Sequence, residues 1–473
     1  MSILYLALLG DNFLSEILKT LVYRSQENWI ISHNSENFYK ITKIYIDRFI
    51  TIKKNQNSPR IILIQNQDNH INFLSAFLAA IITNCHIFLC SKEWQSKEWM
   101  EVLNLIEPHL ILGNNYLINN YPDHSYCKVK VHNFYLPKSS LIMIPTGGTS
   151  GNIRFTIHTW DTLSSSVRGF AKFFELEKIN TFCILPFYHV SGLMQFVRSF
   201  LVGGQITIYS YDELKNNFIP SPNKKNTFIS LVPTQFKFLL INNLHFLRKF
   251  ATILLGGGPS WDYLLKEARK YKLNLSPTYG MTETASQVVT LKPQDFLKGN
   301  NSLGQVLPHV KVNINREDRT VQIKADSLFY GYYPNYIQQQ NFITDDLGYF
   351  DNKKYLYVIG RNSQKIITGG ENVFPLEIEN TILKTELVND VCVLGINNTF
   401  WGEILVAVYV PKNDDIDTEN IKHLIKLNLS AYKQPKHWIR IKCLPYSEQG
   451  KLNYQLLKKI AKKHISNQLM QGL

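Results

Sequence analysis

Residues 141–154 read LIMIPTGGTSGNIR, and this stretch joins an apolar run to a loop of glycine and hydroxyl residues. The run 141–144 predicts a buried strand. Glycine lets the backbone approach an anion closely, and backbone N–H groups with Thr and Ser hydroxyls can donate to phosphate oxygens. The stretch therefore predicts a strand leading into a phosphate-binding loop closed by the cation Arg154, although many such loops bind nothing. It is not a Walker A loop, because the Gly-x-x-x-x-Gly-Lys-[Ser/Thr] spacing is absent.

The composition is that of a folded globular protein with room for two or three domains. The chain has 473 residues, of which 45% are hydrophobic and 19% charged, and this length allows a sizeable core. The 25 Tyr and 27 Phe argue against a disordered chain. The formal net charge of +14 would suit nucleic acid, a membrane surface or anionic small molecules, but an AT-rich coding sequence would produce the same surplus. Because no nucleic-acid motif is present, nucleic-acid binding is the last of the alternatives.

The cysteines and the apolar stretches indicate a reducing compartment and no membrane span. The six cysteines form no Cys-x-x-Cys pair, so we expect reduced and mostly buried thiols. They are Cys85, Cys90, Cys127, Cys183, Cys392 and Cys443. The apolar start Met1–Gly10 lacks a basic leader, which predicts a first strand or helix rather than a signal peptide. No stretch approaches the ~18 apolar residues of a membrane span. The expected location is the cytoplasm, or a plastid stroma if the chain is algal.

Apolar runs that alternate with amphipathic stretches predict an α/β fold whose large N-terminal domain has mixed, largely parallel sheets. Strands are predicted at 61–64, 182–185, 205–209, 227–232 and 251–255, with helices over 73–82 and after Pro259. Several strands end in Gly or Pro, a pattern that places ligand-binding groups at the carboxyl ends of a parallel sheet. Short alternating runs over 310–333 predict a β-rich subdomain.

The chain beyond Arg361 has an α+β pattern of its own, which predicts a small second domain. Strands are predicted at 391–395 and 404–410, and helices over 417–428 and 455–464. The expected domains are therefore 1–361 and 362–473.

Five segments, in this order, resemble the adenylate-forming superfamily of acyl- and aryl-CoA ligases, luciferases and peptide-synthetase adenylation domains. They are 146–154, Leu185–His189, Tyr279–Thr284, Thr344–Tyr349 running on to Gly369–Asn372, and Gly450–Lys451. One such match would be weak, but five in order over nearly the whole chain are specific. The resemblance implies activation of a carboxylate by ATP and Mg²⁺, followed by transfer to a thiol. The enzyme must then stabilise charge on the α-phosphate and on the departing pyrophosphate.

The resemblance assigns the phosphate loop and the metal. It implies that the loop holds the β- and γ-phosphates, with Arg154 standing where the family usually has Lys, a change that keeps the charge. The loop residues are Thr146, Gly147, Gly148, Thr149, Ser150 and Gly151. Thr282 would contact the α-phosphate and Glu283 would bind Mg²⁺, a cation suited to carboxylate oxygens. The alternative for Glu283 is a surface acid paired with a cation.

The resemblance also assigns the rest of the nucleotide site. Asp346 would accept hydrogen bonds from the ribose hydroxyls, although this chain has Thr-Asp-Asp where the family has Thr-Gly-Asp. Arg361 would contact ribose or phosphate. The adenine would lie along Gly257, Gly258 and Pro259, with Tyr279 stacked on the base and Gly280 beside it.

Lys451 is the expected catalytic lysine, carried on a mobile C-terminal domain. In the family this lysine bridges the carboxylate and the α-phosphate, and the domain then rotates to present 369–372 for thioester formation. The alternative is one exposed lysine among many. The hinge follows Arg361 near Ser363 and Gln364, where the family commonly has acids.

The stretches 185–192, 255–259 and 279–290 make the chain most similar, within the superfamily, to the 2-succinylbenzoate–CoA ligases, which act in menaquinone and phylloquinone synthesis. Their substrate is a dicarboxylate, and the carboxylate that is not activated needs a cation. The resemblance implies that Arg198 supplies this cation and that Ser286 also binds the substrate. The alternative for Arg198 is an arginine that bonds backbone carbonyls at a helix end. His189 lies nine residues earlier, about two and a half turns away on what should be the same helix, so we expect the two residues to share one face roughly. His189 is then a pocket wall or gate, or else a structural histidine.

The implied partners are small molecules, namely 2-succinylbenzoate, ATP and coenzyme A, with a possible homo-oligomer. Another carboxylate, such as a cinnamate, benzoate or fatty acid, would fit the same motifs. A carrier-protein-loading domain and a non-catalytic nucleotide sensor are the remaining alternatives. None of the cysteines has a nucleophile motif, in keeping with a mechanism that needs no covalent enzyme intermediate.

Overall fold

Residues up to Arg361 form three sheets, and the residues after it form a fourth. The computed structural model of the protein describes residues 12–31, 35–54, 58–65, 70–113, 139–147, 153–216, 222, 226–259, 261–337, 339–446 and 452–471. The apolar start Met1–Gly10 and Cys127 lie outside these residues.

The first sheet contains the strand predicted from 141–144. Its five strands are β1 (Arg60–Gln65), β2 (His86–Ser91), β3 (Leu110–Leu112), β4 (Ile142–Gly147) and β5 (Ile153–His158). They lie in the order β3-β1-β2-β4-β5, and only β5 is antiparallel to its neighbour. The apolar runs follow from this arrangement, because parallel strands are covered on both faces.

The second sheet has seven strands in the order β12-β11-β10-β9-β8-β6-β7. They are β6 (Asn180–Cys183), β7 (Ile206–Ile208), β8 (Thr227–Leu231), β9 (Thr252–Leu255), β10 (Leu275–Met281), β11 (Ser286–Thr290) and β12 (Gln305–Val306). The five neighbouring strands β7, β6, β8, β9 and β10 are parallel, and β11 and β12 are each antiparallel to the strand before them. Five of the six strands predicted in the N-terminal region are thus confirmed to within two residues at each end, and the strand predicted at 141–144 extends three residues beyond its predicted end.

The helices of this region pack on these two sheets. The most apolar is His70–Ile82, which is buried on nearly all sides, as expected of a helix without a polar face. The others are Asn12–Ser25, Ser35–Lys53, Ser96–Leu105, Trp160–Phe174, Val190–Val202, Tyr211–Lys215, Pro233–Asn242, Leu244–Leu247, Asp262–Lys270 and Pro293–Leu297. No described helix combines the length and the apolar composition needed to cross a bilayer.

The predicted β-rich subdomain is a four-stranded antiparallel sheet that extends further along the chain than the prediction. Its strands are β13 (Val310–Ile314), β14 (Thr320–Ala325), β15 (Phe342–Phe350) and β16 (Leu356–Arg361). The last two were missed because their charged and polar residues weaken the alternating pattern of hydrophobicity.

The C-terminal region has its own sheet, as its sequence pattern predicted. Its strands are β17 (Ile366–Thr368), β18 (Glu371–Val373), β19 (Val388–Asn398), β20 (Gly402–Pro411) and β21 (His437–Arg440). Its helices are Pro375–Leu383, Thr418–Lys426 and Tyr454–Gln471. Apolar side chains of this region join the core under the second sheet.

Four of the predicted buried thiols are buried, and the fifth described cysteine is not. Cys85, Cys90, Cys183 and Cys392 are free and buried, whereas Cys443 is exposed. Burial raises the pKa of the Cys183 thiol to about 12. A thiol held protonated in this way is a poor nucleophile.

Candidate nucleotide and carboxylate site

Strand pairing sets the phosphate end of the candidate site. In the β4–β5 ladder, Thr146 lies directly opposite Arg154. Both ends of the predicted phosphate loop are therefore fixed by main-chain hydrogen bonds, and Arg154 is exposed. The loop residues Gly148, Thr149, Ser150 and Gly151 lie outside the described part of the chain.

A tight turn after β10 brings Thr282 and Glu283 to this end. Met281 ends β10, and Thr282–Thr284 forms a single 3₁₀ turn. Gly280 allows this close return, because a Cβ atom there would collide with the backbone of Ser286 and Gln287.

His158 at the end of β5 holds this turn in place. Its Nε2–H donates to the carbonyl of Thr282 at 2.8 Å, and its Nδ1 lies 3.0 Å from the Thr162 hydroxyl. Burial lowers the pKa of His158 to about 4, so the ring is neutral at physiological pH. A neutral imidazole can donate at one nitrogen and accept at the other, which matches these two contacts.

Glu283 is buried beside Arg154, but the two do not form an ion pair. The Tyr332 hydroxyl donates to Glu283 Oε1 at 2.7 Å, and the guanidinium of Arg154 lies 4.2 Å from the centre of the Tyr332 ring. Burial and the Glu283 carboxylate raise the pKa of Tyr332 above its ordinary value, so the phenol remains a donor. The surface-acid alternative for Glu283 is wrong, since its side chain is only 8% exposed and it has no cationic partner among the described residues.

The surroundings of Glu283 fit Mg²⁺ only as part of a complex with phosphate. Carboxylate oxygens suit this ion, which in nucleotide sites commonly takes one or two carboxylates together with substrate phosphates. The described residues contain no cluster of three or more His, Cys, Asp or Glu that would hold a metal by themselves. A divalent cation would therefore bind here together with the nucleotide.

The predicted ribose residues form a connected group. Asp346 on β15 pairs in register with Arg361 on β16, and Arg361 Nε donates to Asp346 Oδ1 at 3.1 Å. The Tyr279 hydroxyl donates to the other carboxylate oxygen at 2.8 Å. Burial and Asp346 raise the pKa of Tyr279 well above its ordinary value. Burial opposes the charge of Arg361, but Asp346, together with Asp345 and Tyr279, raises its pKa above the ordinary value.

The predicted adenine segment follows β9 at the edge of the second sheet. Gly257 has φ +79, a left-handed conformation that favours glycine, and Gly258 and Pro259 are also at this turn. Because β9 and β10 are parallel neighbours, their carboxyl ends meet there, and Tyr279 lies near the end of β10. The residues proposed for adenine therefore share one sheet edge.

Arg198 lies in the buried part of the helix Val190–Val202 and contacts the start of β11. One of its terminal nitrogens donates to the Ser286 hydroxyl at 2.9 Å and to Gln287 Oε1 at 2.6 Å. Its guanidinium also lies 4.2 Å from the centre of the Phe170 ring. The alternative of an arginine bonding backbone carbonyls at a helix end is thus wrong, because its described partners are side chains.

Arg198 is a buried cation with no counter-charge among the described side chains. It is 2% exposed and forms no ion pair with a described carboxylate. Its Nε and the amide nitrogen of Gln287 are buried donors without an acceptor. Burial lowers the pKa of Arg198 to about 9, which still leaves it charged at neutral pH. An unpaired buried charge is costly, so this cluster of donors is chemically suited to a carboxylate.

His189 precedes the helix and does not lie within it. It is the N-cap residue, with no side-chain capping bond, and its ring is 4.1 Å from that of Tyr188. The expectation that His189 and Arg198 share one helical face was therefore wrong: the helix begins at Val190, and a separation of two and a half turns would place two side chains on opposite faces of a helix.

Lys451 lies outside the described residues, which end at Tyr446 and resume at Leu452. Tyr446 and Leu452 form an antiparallel bridge, and the Tyr446 hydroxyl donates to Asp390 at 2.8 Å. At the expected hinge, the backbone N–H of Ser363 donates to Asp345 at 3.0 Å and its hydroxyl donates to the same carboxylate. Two of the departures from the family pattern thus contact each other.

Three residues of the site were not predicted from the sequence. Each contacts a site residue that is distant in the sequence, and its residue type alone does not indicate a role in the site. They are Tyr332, His158 and Gln287. His158 could have been noticed, since it shares one face of β5 with Arg154 at period two.

Known proteins with similar sequences and structures are nucleotide-dependent ligases. The AMP-binding enzyme family matches residues 67–327, and the AMP-binding enzyme C-terminal domain matches residues 377–451. A 2-succinylbenzoate–CoA ligase of Listeria monocytogenes is 34% identical over 334 residues, covering 68% of this chain and 70% of the relative.

Two solved structures of o-succinylbenzoate CoA synthetase from Bacillus subtilis share the fold. The one with the acyl-adenylate intermediate has a TM-score of 0.77 and 23% identity, covering 93% of this chain and 97% of the other. The one with ATP and magnesium has a TM-score of 0.76 and 22% identity, covering 92% and 98%. From the family match over more than half of its length, this chain belongs to the family of AMP-binding enzymes.

Proposed function

We propose that this protein is an ATP-dependent, AMP-forming ligase that joins 2-succinylbenzoate to coenzyme A through an acyl-adenylate. The observation that carries the choice of substrate is Arg198, a buried cation whose Nε has no acceptor and which pairs with no carboxylate among the described residues. A monocarboxylate would leave this charge unpaired. A dicarboxylate can place one carboxylate at Arg198 and offer the other for activation.

In the first half-reaction, an oxygen of the succinyl carboxylate attacks the α-phosphorus of ATP. The new C–O–P linkage forms as the bond to pyrophosphate breaks. Arg154 and the phosphate loop stabilise charge on the departing pyrophosphate, and Thr282 contacts the α-phosphate. Asp346 and Arg361 hold the ribose. Donors already aimed at developing charge lower the barrier because they need little reorganisation.

Magnesium fits this scheme at Glu283. When bound with ATP, the ion neutralises phosphate charge and orients the phosphate oxygens. Glu283 would hold it through the carboxylate oxygen that does not accept from Tyr332. His158 fixes the turn from which Glu283 projects.

In the second half-reaction, the thiolate of coenzyme A attacks the acyl carbon and AMP leaves. We assign Lys451 to the first half-reaction, and we divide the chain into domains at 1–361 and 362–473, with the second domain rotating between the steps. The separate C-terminal sheet supports this division. Buried free thiols are consistent with a reducing compartment such as the cytoplasm.

Pyrophosphate release from ATP and Mg²⁺, measured with a pair of matched acids, tests the proposal. The pair is 2-succinylbenzoate and 4-oxo-4-phenylbutanoate, which lacks only the ring carboxylate. We expect release with the first acid, a thioester after coenzyme A is added, and a kcat/KM at least about 100-fold lower for the second, from the loss of a charge-assisted contact and the charge left unpaired.

Equal activity with both acids would refute the assigned role of Arg198 and favour another carboxylate. A folded protein that binds ATP but releases no pyrophosphate with any acid would favour a non-catalytic nucleotide-binding protein.

A further inference from the structure

Tyr332 stands between the cation and the carboxylate of the nucleotide site. Its ring faces the Arg154 guanidinium at 4.2 Å, and its hydroxyl donates to Glu283 Oε1 at 2.7 Å. One side chain therefore contacts both residues that the proposed function assigns to the phosphates and the metal.

The contact is not needed to anchor the segment that carries Tyr332. The backbone of Tyr330 and Tyr333 donates to carbonyls of β5 at 2.8 Å, and Tyr332 forms a bridge with Thr156. The backbone N–H of Phe329 donates to the carbonyl of Glu283 at 2.9 Å. Main-chain bonds thus hold the segment to β5 and to the turn that carries Glu283, whatever the side chain of residue 332 is.

A direct ion pair between Arg154 and Glu283 would interfere with nucleotide binding. Each charge would be partly neutralised by the other, and the pair would have to break before phosphate and metal could bind. An aromatic face attracts a guanidinium without supplying a negative charge. A phenol donor occupies one carboxylate oxygen and leaves the carboxylate ionised, as partners of metal ligands commonly do.

We propose that Tyr332 is a positioning residue that keeps Arg154 and Glu283 apart and orients the Glu283 carboxylate toward the metal–nucleotide complex. This inference rests on the proposed function, because it takes the ligand to be ATP with a divalent cation.

Nucleotide binding with and without metal tests the role independently of turnover. The probe is α,β-methylene-ATP, which cannot release pyrophosphate, titrated calorimetrically with and without Mn²⁺. The measured quantity is the factor by which Mn²⁺ tightens nucleotide binding. In Tyr332→Phe the ring remains under Arg154 and only the hydroxyl is lost. We expect the tightening factor to fall about tenfold, the usual effect of losing a partner of a metal ligand, and metal-free affinity to stay within about twofold.

Two further variants sharpen the test. Tyr332→Leu removes the ring as well, so metal-free affinity should also fall, by about threefold or more, the scale of a cation–π contact of about 0.7 kcal/mol. Tyr330→Phe is the matched control, because Tyr330 stacks on Tyr336 at 4.9 Å and should behave as wild type.

The outcomes separate the two proposals. A wild-type protein that fails to bind the analogue, or binds it without any effect of Mn²⁺, would overturn the proposed function. A wild-type metal effect that Tyr332→Phe retains in full would overturn the positioning role alone.

Discussion

Arg198 and Glu379 are both buried ionisable residues, one in each region of the molecule, and neither has a partner of opposite charge in the part of the chain that the structure describes. Arg198 is 2% exposed, and its bonds are to Ser286 and Gln287. Glu379 is 7% exposed on the helix Pro375–Leu383 and accepts from the backbone N–H of Val393 at 2.8 Å. Burial acts on each pKa in the direction that favours the neutral form, lowering that of Arg198 to about 9 and raising that of Glu379 to about 7.

The difference lies in how each residue can relieve the cost of burial. Glu379 can bind a proton near neutral pH and become neutral. Arg198 stays charged there, so only an anion can compensate it, and the described chain offers none. A buried carboxyl that can be protonated near neutral pH fits a structural role, whereas a buried guanidinium that keeps its proton at neutral pH points to a ligand.

Replacing Arg198 should give the largest effect. With Arg198→Leu we expect kcat/KM for 2-succinylbenzoate to fall by about 100- to 1,000-fold, since breaking a buried charge pair costs roughly 3–5 kcal/mol. Activity with 4-oxo-4-phenylbutanoate should change little. Steady-state pyrophosphate release with the two acids measures both effects, and an equal loss with both would contradict the assignment.

Stability provides an internal control for the same substitution. Arg198→Leu removes an unpaired buried charge, and the acceptor Gln287 Oε1 keeps the Ser286 hydroxyl as a donor, so the free energy of unfolding should stay the same or rise. Arg24 is equally buried but paired with Glu27, and it also donates to the carbonyl of Gly204. Arg24→Leu should therefore destabilise the protein by on the order of 2 kcal/mol, because buried acceptors lose their donor. Urea denaturation of both variants and of the wild type gives the sign of the change in the free energy of unfolding for each substitution.

Replacing Glu379 should have an intermediate effect that depends on pH. Its folded-state pKa of about 7 lies above its ordinary value of 4.5, so its contribution to stability is full below about pH 4.5 and is lost as pH rises through 7. Glu379→Gln cannot titrate. The free energy of unfolding of the variant minus that of wild type should therefore increase from pH 4.5 to 8, by on the order of 3 kcal/mol.

The titration of buried histidines does not affect the difference in stability between Glu379→Gln and wild type. Burial lowers the pKa of His158 to about 4, so its stabilising effect is lost as pH falls from 6.5 toward 4, the opposite slope. That term is present in both proteins and cancels in the difference. A difference that is flat from pH 4.5 to 8 would show that Glu379 is not the titrating group.

Ser286→Ala should have the smallest effect. It removes one hydrogen bond to the Arg198 guanidinium while Gln287 keeps the other. Loss of one charge-assisted hydrogen bond corresponds to about a tenfold drop in kcat/KM for the dicarboxylate. The monocarboxylate should show no such drop, and a larger effect on ATP KM than on the acid would place Ser286 in the nucleotide site instead.

Periodicity predicted the sheets better than it predicted the site. Runs such as 141–144 and 251–255 are apolar because both faces of a parallel strand are covered, so they could be read directly. The strands around Asp346 and Arg361 carry functional polar residues that break the alternation, and they were missed.

Contacts between distant segments could not be predicted. Ser286 is 88 residues from Arg198, and no local pattern links them. Asp345 departs from the family's Thr-Gly-Asp pattern, and nothing in the sequence explains the change. In the fold, Asp345 accepts a hydrogen bond from Ser363, which also differs from the residue that the family commonly has. The role of Lys451 stays a prediction, since that residue lies outside the described chain.

The nucleotide half and the acid half of the site are held in place by different kinds of contact, and this difference affects how a new substrate specificity can evolve. The nucleotide half is set by main-chain ladders, with Thr146 opposite Arg154 and Asp346 opposite Arg361. The acid half is built from side chains on separate elements, among them Arg198 and Ser286. A lineage could therefore acquire a different acid by exchanging a few side chains while the ladders kept the nucleotide chemistry unchanged.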